Sequence, residues 1–302
     1  METLESLRRK LDGAEDLKSV VRTMKAMAAS NIHQYEMAVT ALTDYYRTLT
    51  LGIIAYFRQT ETETRTITEA HQGNKEKTTY AIVFGSDQGL VAQFNDSLTE
   101  FVSKTLHDIP GNKEVWTVGE RVQLLLSDVG LATTLFFHVP NSVHAITPLV
   151  GEILMNSFER NESGNEFYVF HNQPKGSRGY TAVKHRLLPL DKKWKDAMGT
   201  IPWPTKKLPQ VAGSMRSTVT ALIREYLFVS LFKACAESLA SENASRLDAM
   251  QRAEKSIDEL LNDVGYEFHH LRQSSIDEEL FDVVSGFETL KKDGLTNRKR
   301  GI

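Results

Sequence analysis

A strand-like apolar run at 79–84 (TYAIVF) leads into Gly85-Ser86-Asp87-Gln88-Gly89, and a glycine-bearing turn between strand and helix is where α/β proteins cradle phosphate. That chemistry needs more than glycine. The chain has neither G-x-G-x-x-G nor G-x-x-x-x-G-K-[ST], and the helix that follows brings no lysine to a phosphate. A tight strand-to-helix turn is the better reading. Ser86 and Asp87 with His107 or His138 could form a hydrolytic group, but no G-x-S-x-G elbow accompanies them. The adjacent pair His269-His270 sits about 100° apart on a helix and cannot chelate one ion as an i,i+4 pair does. The single cysteine, Cys235, excludes an internal disulfide and fits a reducing compartment. No catalytic residue, cofactor site or metal site is therefore expected.

The elements that hold these residues are of two kinds. The first helical pattern places Leu7, Ala14, Val21, Ala28, Tyr35, Leu42, Leu49 and Tyr56 on one heptad row, with Leu4, Leu11, Ile32, Val39, Tyr46 and Ile53 beside it. The second, at 211–290, carries Met215, Leu222, Val229, Ala236, Met250, Ile257, Val264 and Leu271 at multiples of seven, flanked by Val219, Tyr226, Ala240, Leu247, Leu261 and Phe268. At ~1.5 Å per residue these are rods of ~85 and ~120 Å, far longer than ordinary bundle helices. All 8 prolines lie from Pro110 to Pro209, clear of both rods.

Between the rods, strand patterns at 79–84, 114–118, 134–139, 167–171 and 181–188 alternate with helices ending near His107 and at 120–129 and 143–159. Such alternation makes a mainly parallel sheet covered by helices, and the last two strands, with no helix between them, form an antiparallel edge. The expected fold is α/β: a long antiparallel coiled coil of N- and C-terminal helices plus a Rossmann-like domain. Its parts are a helix at 1–59, a linker at 60–78, the α/β domain at 79–189, a linker at 190–210, a helix at 211–290 and a tail at 291–302.

A net charge of −3 over 302 residues gives no general pull toward nucleic acid or an anionic membrane. No run of eighteen apolar residues exists, and the start METLESLRRKL lacks the apolar core of a signal peptide, so the expectation is a soluble, cytosolic chain.

Because one rod enters the sheet domain near residue 59 and the other leaves near 211, antiparallel pairing sets residue i opposite about 270 minus i, and Met24 opposite the neighbourhood of Arg246. The first rod is then exhausted near residue 268. Beyond it the second continues alone with Leu271, Ile276, Leu280, Phe281, Val283, Val284 and Phe287. Each bare side chain forgoes ~1.5 to 3 kcal/mol of burial, so the tip needs a sleeve from another protein.

Four segments carry a family resemblance. Leu7-Arg8-Arg9-Lys10-Leu11 followed by Val21-Arg22-Thr23-Met24-Lys25-Ala26-Met27-Ala28-Ala29-Ser30 resembles the amino-terminal signature of the gamma subunits of F-type ATP synthases. Ser86-Asp87-Gln88-Gly89-Leu90 with Phe94-Asn95 is similar to that family's S-D-R-G-L-C-G-G-x-N segment. The run 238–250 (SLASENASRLDAM) and the run 272–280 (RQSSIDEEL) resemble its carboxy-terminal helix. Departures are Gln88 for the usual Arg, Val91-Ala92-Gln93 for C-G-G, and His269 and Asp277 where Asn and Thr are common. The opening looks like the alternate, horizontally spread branch often associated with sodium.

The resemblance implies a non-catalytic rotor whose coiled coil stands inside a hexamer of alternating alpha and beta subunits. The sheet domain would meet the epsilon subunit and the membrane c-ring, at the cytoplasmic face of a bacterial membrane. By motif match Met24 and Arg246 fall where the shaft passes beta, Arg272 and Gln273 where the tip meets beta's catch loop, and Leu271, Ile276 and Leu280 in the bearing. A guanidinium and an amide suit carboxylates and hydroxyls in such a socket. The alternative is a non-rotary coiled-coil scaffold that docks a partner on its α/β domain; it needs no overhanging apolar tip.

Overall fold

The computed structural model of the chain describes residues 3–59, 78–160, 165–176, 179–190, 207 and 214–298. The expected linkers at 60–78 and 190–210 fall almost entirely outside them.

Helix α1 (Leu4–Gln59) opens on Thr3, whose carbonyl accepts the Leu7 amide at 3.1 Å and whose hydroxyl accepts the Ser6 amide at 3.2 Å. The first is the opening intrahelical bond, and the second satisfies one of the amides that a helix start leaves unpaired. Helix α5 (Met215–Arg298) is free of proline along its whole length, as is α1. Between them the chain runs β1 (Thr78–Phe84), α2 (Phe94–His107), β2 (Asn112–Val118), α3 (Glu120–Asp128), β3 (Thr133–Phe137), α4 (Val143–Glu159), β4 (Glu166–Lys175) and β5 (Gly179–Leu188). Helix α4 holds Pro148 on its exposed face, where the carbonyl of His144, deprived of its amide partner, can turn to water.

The strands form one sheet in the order β3-β2-β1-β4-β5, parallel throughout except that β5 runs antiparallel to β4. The edge strand inferred from the missing helix is thus present. Central β1 is buried along nearly its whole length because both of its faces are covered. On one face Ala81, Val83, Val115 and Phe170 pack with Leu98, Val102 and Leu106 of α2 and Val122 and Leu126 of α3. On the other, Tyr80, Ile82, Trp116 and Phe167 pack with Ile146, Val150 and Ile153 of α4, Leu227 and Leu231 of α5, and Tyr35 and Ile53 of α1. Tyr80 stacks on Phe167 at 4.6 Å.

Two compact units result, Ala26–Ala249 and the pairing of Met1–Lys25 with Met250–Ile302. In both, α1 and α5 run antiparallel. Within the first unit Tyr45 donates to Glu225 at 2.8 Å, as the expected register requires. Asn31, expected opposite Leu239, instead donates its amide to Asn243 at 3.3 Å. Within the second unit Lys18 pairs with Asp258, where Arg252 was expected. Arg22 and Lys25, which bracket Met24, both reach Glu254, where the expectation had set Arg246. A constant sum assumes two helices advancing in step; supercoiling and the reach of long polar side chains shift it by about one to two turns.

Candidate partner surface and the strand-end crevice

The turn after β1 is held by contacts too close for side chains. A Cβ on Gly85 would lie 2.3 Å from Val122, and one on Gly119, itself at φ +119°, would lie 2.7 Å from the Ser86 carbonyl. Ser86 is completely buried. Its amide donates to Asn95 Oδ1 at 3.1 Å, and its hydroxyl donates to the Gln88 carbonyl and accepts from Asn95 Nδ2, each at 2.8 Å. Asp87 accepts the Glu120 amide at 2.9 Å and the Val139 amide at 3.0 Å. The start of α3, where an external anion could bind, is therefore occupied by a carboxylate of the chain itself. His138 stands exposed with Nδ1 4.0 Å from Asp87, while exposed His107 lies at the far end of α2. Among the described residues, the Ser86 hydroxyl is bonded to Gln88 and Asn95 and to no histidine.

In open α/β sheets a ligand lies beyond the carboxyl ends of the strands, at the point where the strand order reverses. Here that point is between β1 and β4: α2 and α3 cover one face, α4 the other. Helix α5 occupies it. Ser238 donates its hydroxyl to the carbonyl of Phe84, the last residue of β1, at 2.9 Å, and Ser241 donates to the Asn172 carbonyl of β4, also at 2.9 Å. Ser245, one turn on, donates to the carbonyl of Val91 in the turn before α2. The Asn172 side chain in turn donates to the Phe94 carbonyl at 2.9 Å.

Beside this seam lies a second buried polar group. Glu237 of α5 meets His171 Nε2 at 2.9 Å and accepts from Gln173 at 3.2 Å, with Lys233 at 3.7 Å. Burial alone would raise the Glu237 carboxyl, but His171, Lys233 and Gln173 together hold it below the usual glutamate range. His185, 5.5 Å from the His171 ring, is lowered by burial and then by His171. These groups line a cleft of about 280 Å³ with Tyr46 and Tyr226. Across the shaft, Tyr35 is pushed up to about 12 by burial and by Glu242, and burial likewise raises Glu242 itself against the pull of Arg246. Among the described residues no group of three or more His, Cys, Asp or Glu is arranged to hold a metal ion.

The residues singled out in the sequence are scattered among these settings. Met24 is half-buried. Arg246 is mostly buried, with its guanidinium donating to Glu242 at 2.7 Å. Arg272 is exposed, and exposed Gln273 donates to Asp277 at 3.0 Å. Leu271 is half-buried, Ile276 is 45% exposed and Leu280 63%. From 276 to 287 every residue is exposed, including Phe281, Val283 and Phe287 at 70% or more. His269 and His270 are exposed and lie against Phe268 and Tyr266 respectively. Sequence reasoning assigned no role to Ser238, Ser241, Ser245, Glu237 or His171. Its available signal was the serine spacing of three and four, which puts three hydroxyls on one stripe of the helix.

A family model described as ATP synthase matches residues 3–290. The ATP synthase gamma chain of Syntrophus aciditrophicus is 24% identical over 305 residues, spanning 97% of this chain and all of that one. That of Malacoplasma penetrans is 22% identical over 297 residues, with 95% and 99% covered. Among solved structures, a chain of the Euglena gracilis mitochondrial ATP synthase, in an assembly of OSCP, F1 and c-ring, has a TM-score of 0.63 at 16% identity, covering 95% of this chain and 94% of that one. One from the Tetrahymena thermophila mitochondrial enzyme, in its central stalk and c-ring, has a TM-score of 0.56 at 19% identity, with 78% and 99% covered. No described helix here is long and apolar enough to cross a membrane. With long helices before and after a five-stranded mixed sheet and a family match along residues 3–290, the chain belongs to the ATP synthase family, among its gamma chains.

Proposed function

We propose that this subunit couples ion translocation through a membrane c-ring to ATP synthesis or hydrolysis in an alternating alpha and beta hexamer, without taking part in the chemistry. The observation that carries this reading is the uncovered run at 276–287, where large apolar side chains project from a single helix. Leaving them in water is unfavourable, and a cavity between partner subunits would cover them. A scaffold that docks its partner on the α/β domain would need no such overhanging tip. The absence of a chemical role is supported by α5 filling the strand-end crevice and by Asp87 capping α3.

In this reading Leu271, Ile276 and Leu280 seat the tip, Arg272 and Gln273 make polar contacts with beta, and Met24 and Arg246 lie where the shaft passes beta. The sheet domain meets epsilon and the c-ring, and the complex works at the cytoplasmic face of a bacterial membrane. Losing charge-assisted contacts costs roughly 1.5 to 3 kcal/mol each, less than a long enclosed shaft can tolerate. Arg272→Ala with Gln273→Ala should therefore lower turnover and coupling while the assembled yield stays near that of the parent. Ile276→Asp should lower the yield itself, by placing charge in an apolar bearing. Unchanged turnover and coupling in the double variant would remove the contact role from Arg272 and Gln273, and normal assembly of Ile276→Asp would remove the bearing.

A further inference from the structure

Torque between a sheet domain and the helix beside it acts to roll that helix about its own axis. Apolar packing resists separation, but it is non-directional and singles out no azimuth by itself. Hydrogen bonds are directional and weaken steeply once bent. Ser238, Ser241 and Ser245 make three such bonds from one stripe of α5, each to a backbone carbonyl and not to a mobile side chain, at the end of β1, in β4 and in the turn before α2. Their three carbonyls belong to segments stitched to one another, since Asn172 bonds the Phe94 carbonyl and Asn95 bonds Ser86. All three serines are buried, away from water that could compete for the bonds.

We propose that this hydroxyl seam is the torque-bearing joint between the sheet domain and α5, the three serines acting as positioning residues that fix the helix's azimuth. The proposal rests on the rotor reading above and assigns the strand-end crevice of this sheet a mechanical use. Ser-to-Ala changes preserve helix, size and apolar packing while removing only the directional bonds, so they separate stiffness from shape.

The test uses the chain assembled with alpha and beta subunits, with a bead tied through Asp128→Cys on the sheet domain. In the parent the bead turns during ATP hydrolysis. When turnover is stalled, the width of its angular fluctuation reports the stiffness of the path from hexamer to sheet domain. Ser238→Ala/Ser241→Ala/Ser245→Ala should widen that fluctuation at least twofold with ATP hydrolysis retained. Cys235→Ala, which trims a buried side chain of the same stretch without removing one of these bonds, should leave the width at the parent value. Ser241→Ala alone should widen it in the same direction by less, and carries the test if the triple variant does not fold. Equal widths in the parent and the serine variants would overturn the seam while leaving the rotor reading intact. A parent assembly in which the bead never turned would overturn both.

Discussion

Two stretches of α5 invert the usual link between composition and burial. From 234 to 243 (ACAESLASEN) every residue is buried, although one leucine is the only large apolar side chain there. From 276 to 287 (IDEELFDVVSGF) every residue is exposed, although isoleucine, leucine, two valines and two phenylalanines are present. In the first stretch small residues let the sheet domain and α1 close around the helix, and the polar groups find partners: Glu237 with His171, Ser238 and Ser241 with carbonyls, Glu242 with Arg246. In the second, nothing among the described residues covers the large side chains. Burial within the chain follows from available neighbours; the exposed bulk is where the proposed partner subunits would supply them.

Matched truncations would break the comparison most sharply. Leu231→Ala removes a fully buried side chain from the core shared by sheet and shaft and should destabilise the isolated chain by ~2 to 5 kcal/mol in chemical denaturation. Phe281→Ala, cutting a larger side chain that is 70% exposed, should stay within about 0.5 kcal/mol. Similar losses would show that the tip is covered in the free chain.

The polar contents of the buried stretch can be sharpened by pH. Glu237→Gln should cost about 1 to 3 kcal/mol at neutral pH by weakening the bond with His171. Because the folded carboxyl of Glu237 titrates below its unfolded value, its contribution is complete above the unfolded value and drains as pH falls through the folded one; the variant should lack that acid limb. His185 is also lowered on folding, so the stability tied to its neutral form is complete above about 6.5 and is lost as pH falls below it. His185→Gln should flatten that upper limb, as thermal melts across pH would reveal. A parent curve flat from pH 6.5 to about 5 would contradict the His185 assignment, and one with no loss as pH falls below 4.5 would contradict that of Glu237.

A smaller effect than that of Glu237 lies in the turn before α2. Ala92 sits at φ +48°, a left-handed conformation that a Cβ disfavours by roughly 1 to 2 kcal/mol, partly offset by the unfolded-state entropy of glycine. Ala92→Gly should therefore stabilise the chain by up to about 1 kcal/mol, and a loss of stability would show that its methyl group packs usefully. This position falls in the C-G-G part of the family segment, where glycine is usual.

Much of the fold was legible because period and punctuation agree. The strand at 79–84 extends by one residue to Thr78–Phe84, α4 spans the expected 143–159, and the missing helix after β4 correctly announces an antiparallel edge. The heptad rows also identify buried positions, with Leu7, Ala14, Val21, Ala28 and Tyr35 all enclosed. The register along the shaft was less legible, since side-chain reach and supercoiling do not appear in a count of sevens. The bare tip could be read because it requires only that one helix outlast the other. The seam could not: a serine's hydroxyl finds its acceptor through tertiary contact, and the Phe84 and Asn172 carbonyls meet α5 only once the sheet has formed.

The most direct test of the central claim is the reactivity of one thiol at the tip. Leu280→Cys should be alkylated rapidly in the free chain, where the position is 63% exposed, with native Cys235 silent because it is buried. Once the chain is assembled with alpha and beta subunits, labelling at 280 should slow at least tenfold, while a cysteine at exposed Asp128 on the sheet domain should keep its rate. Equal labelling of position 280 in the free and assembled chain would contradict the account, because the tip would then have no sleeve.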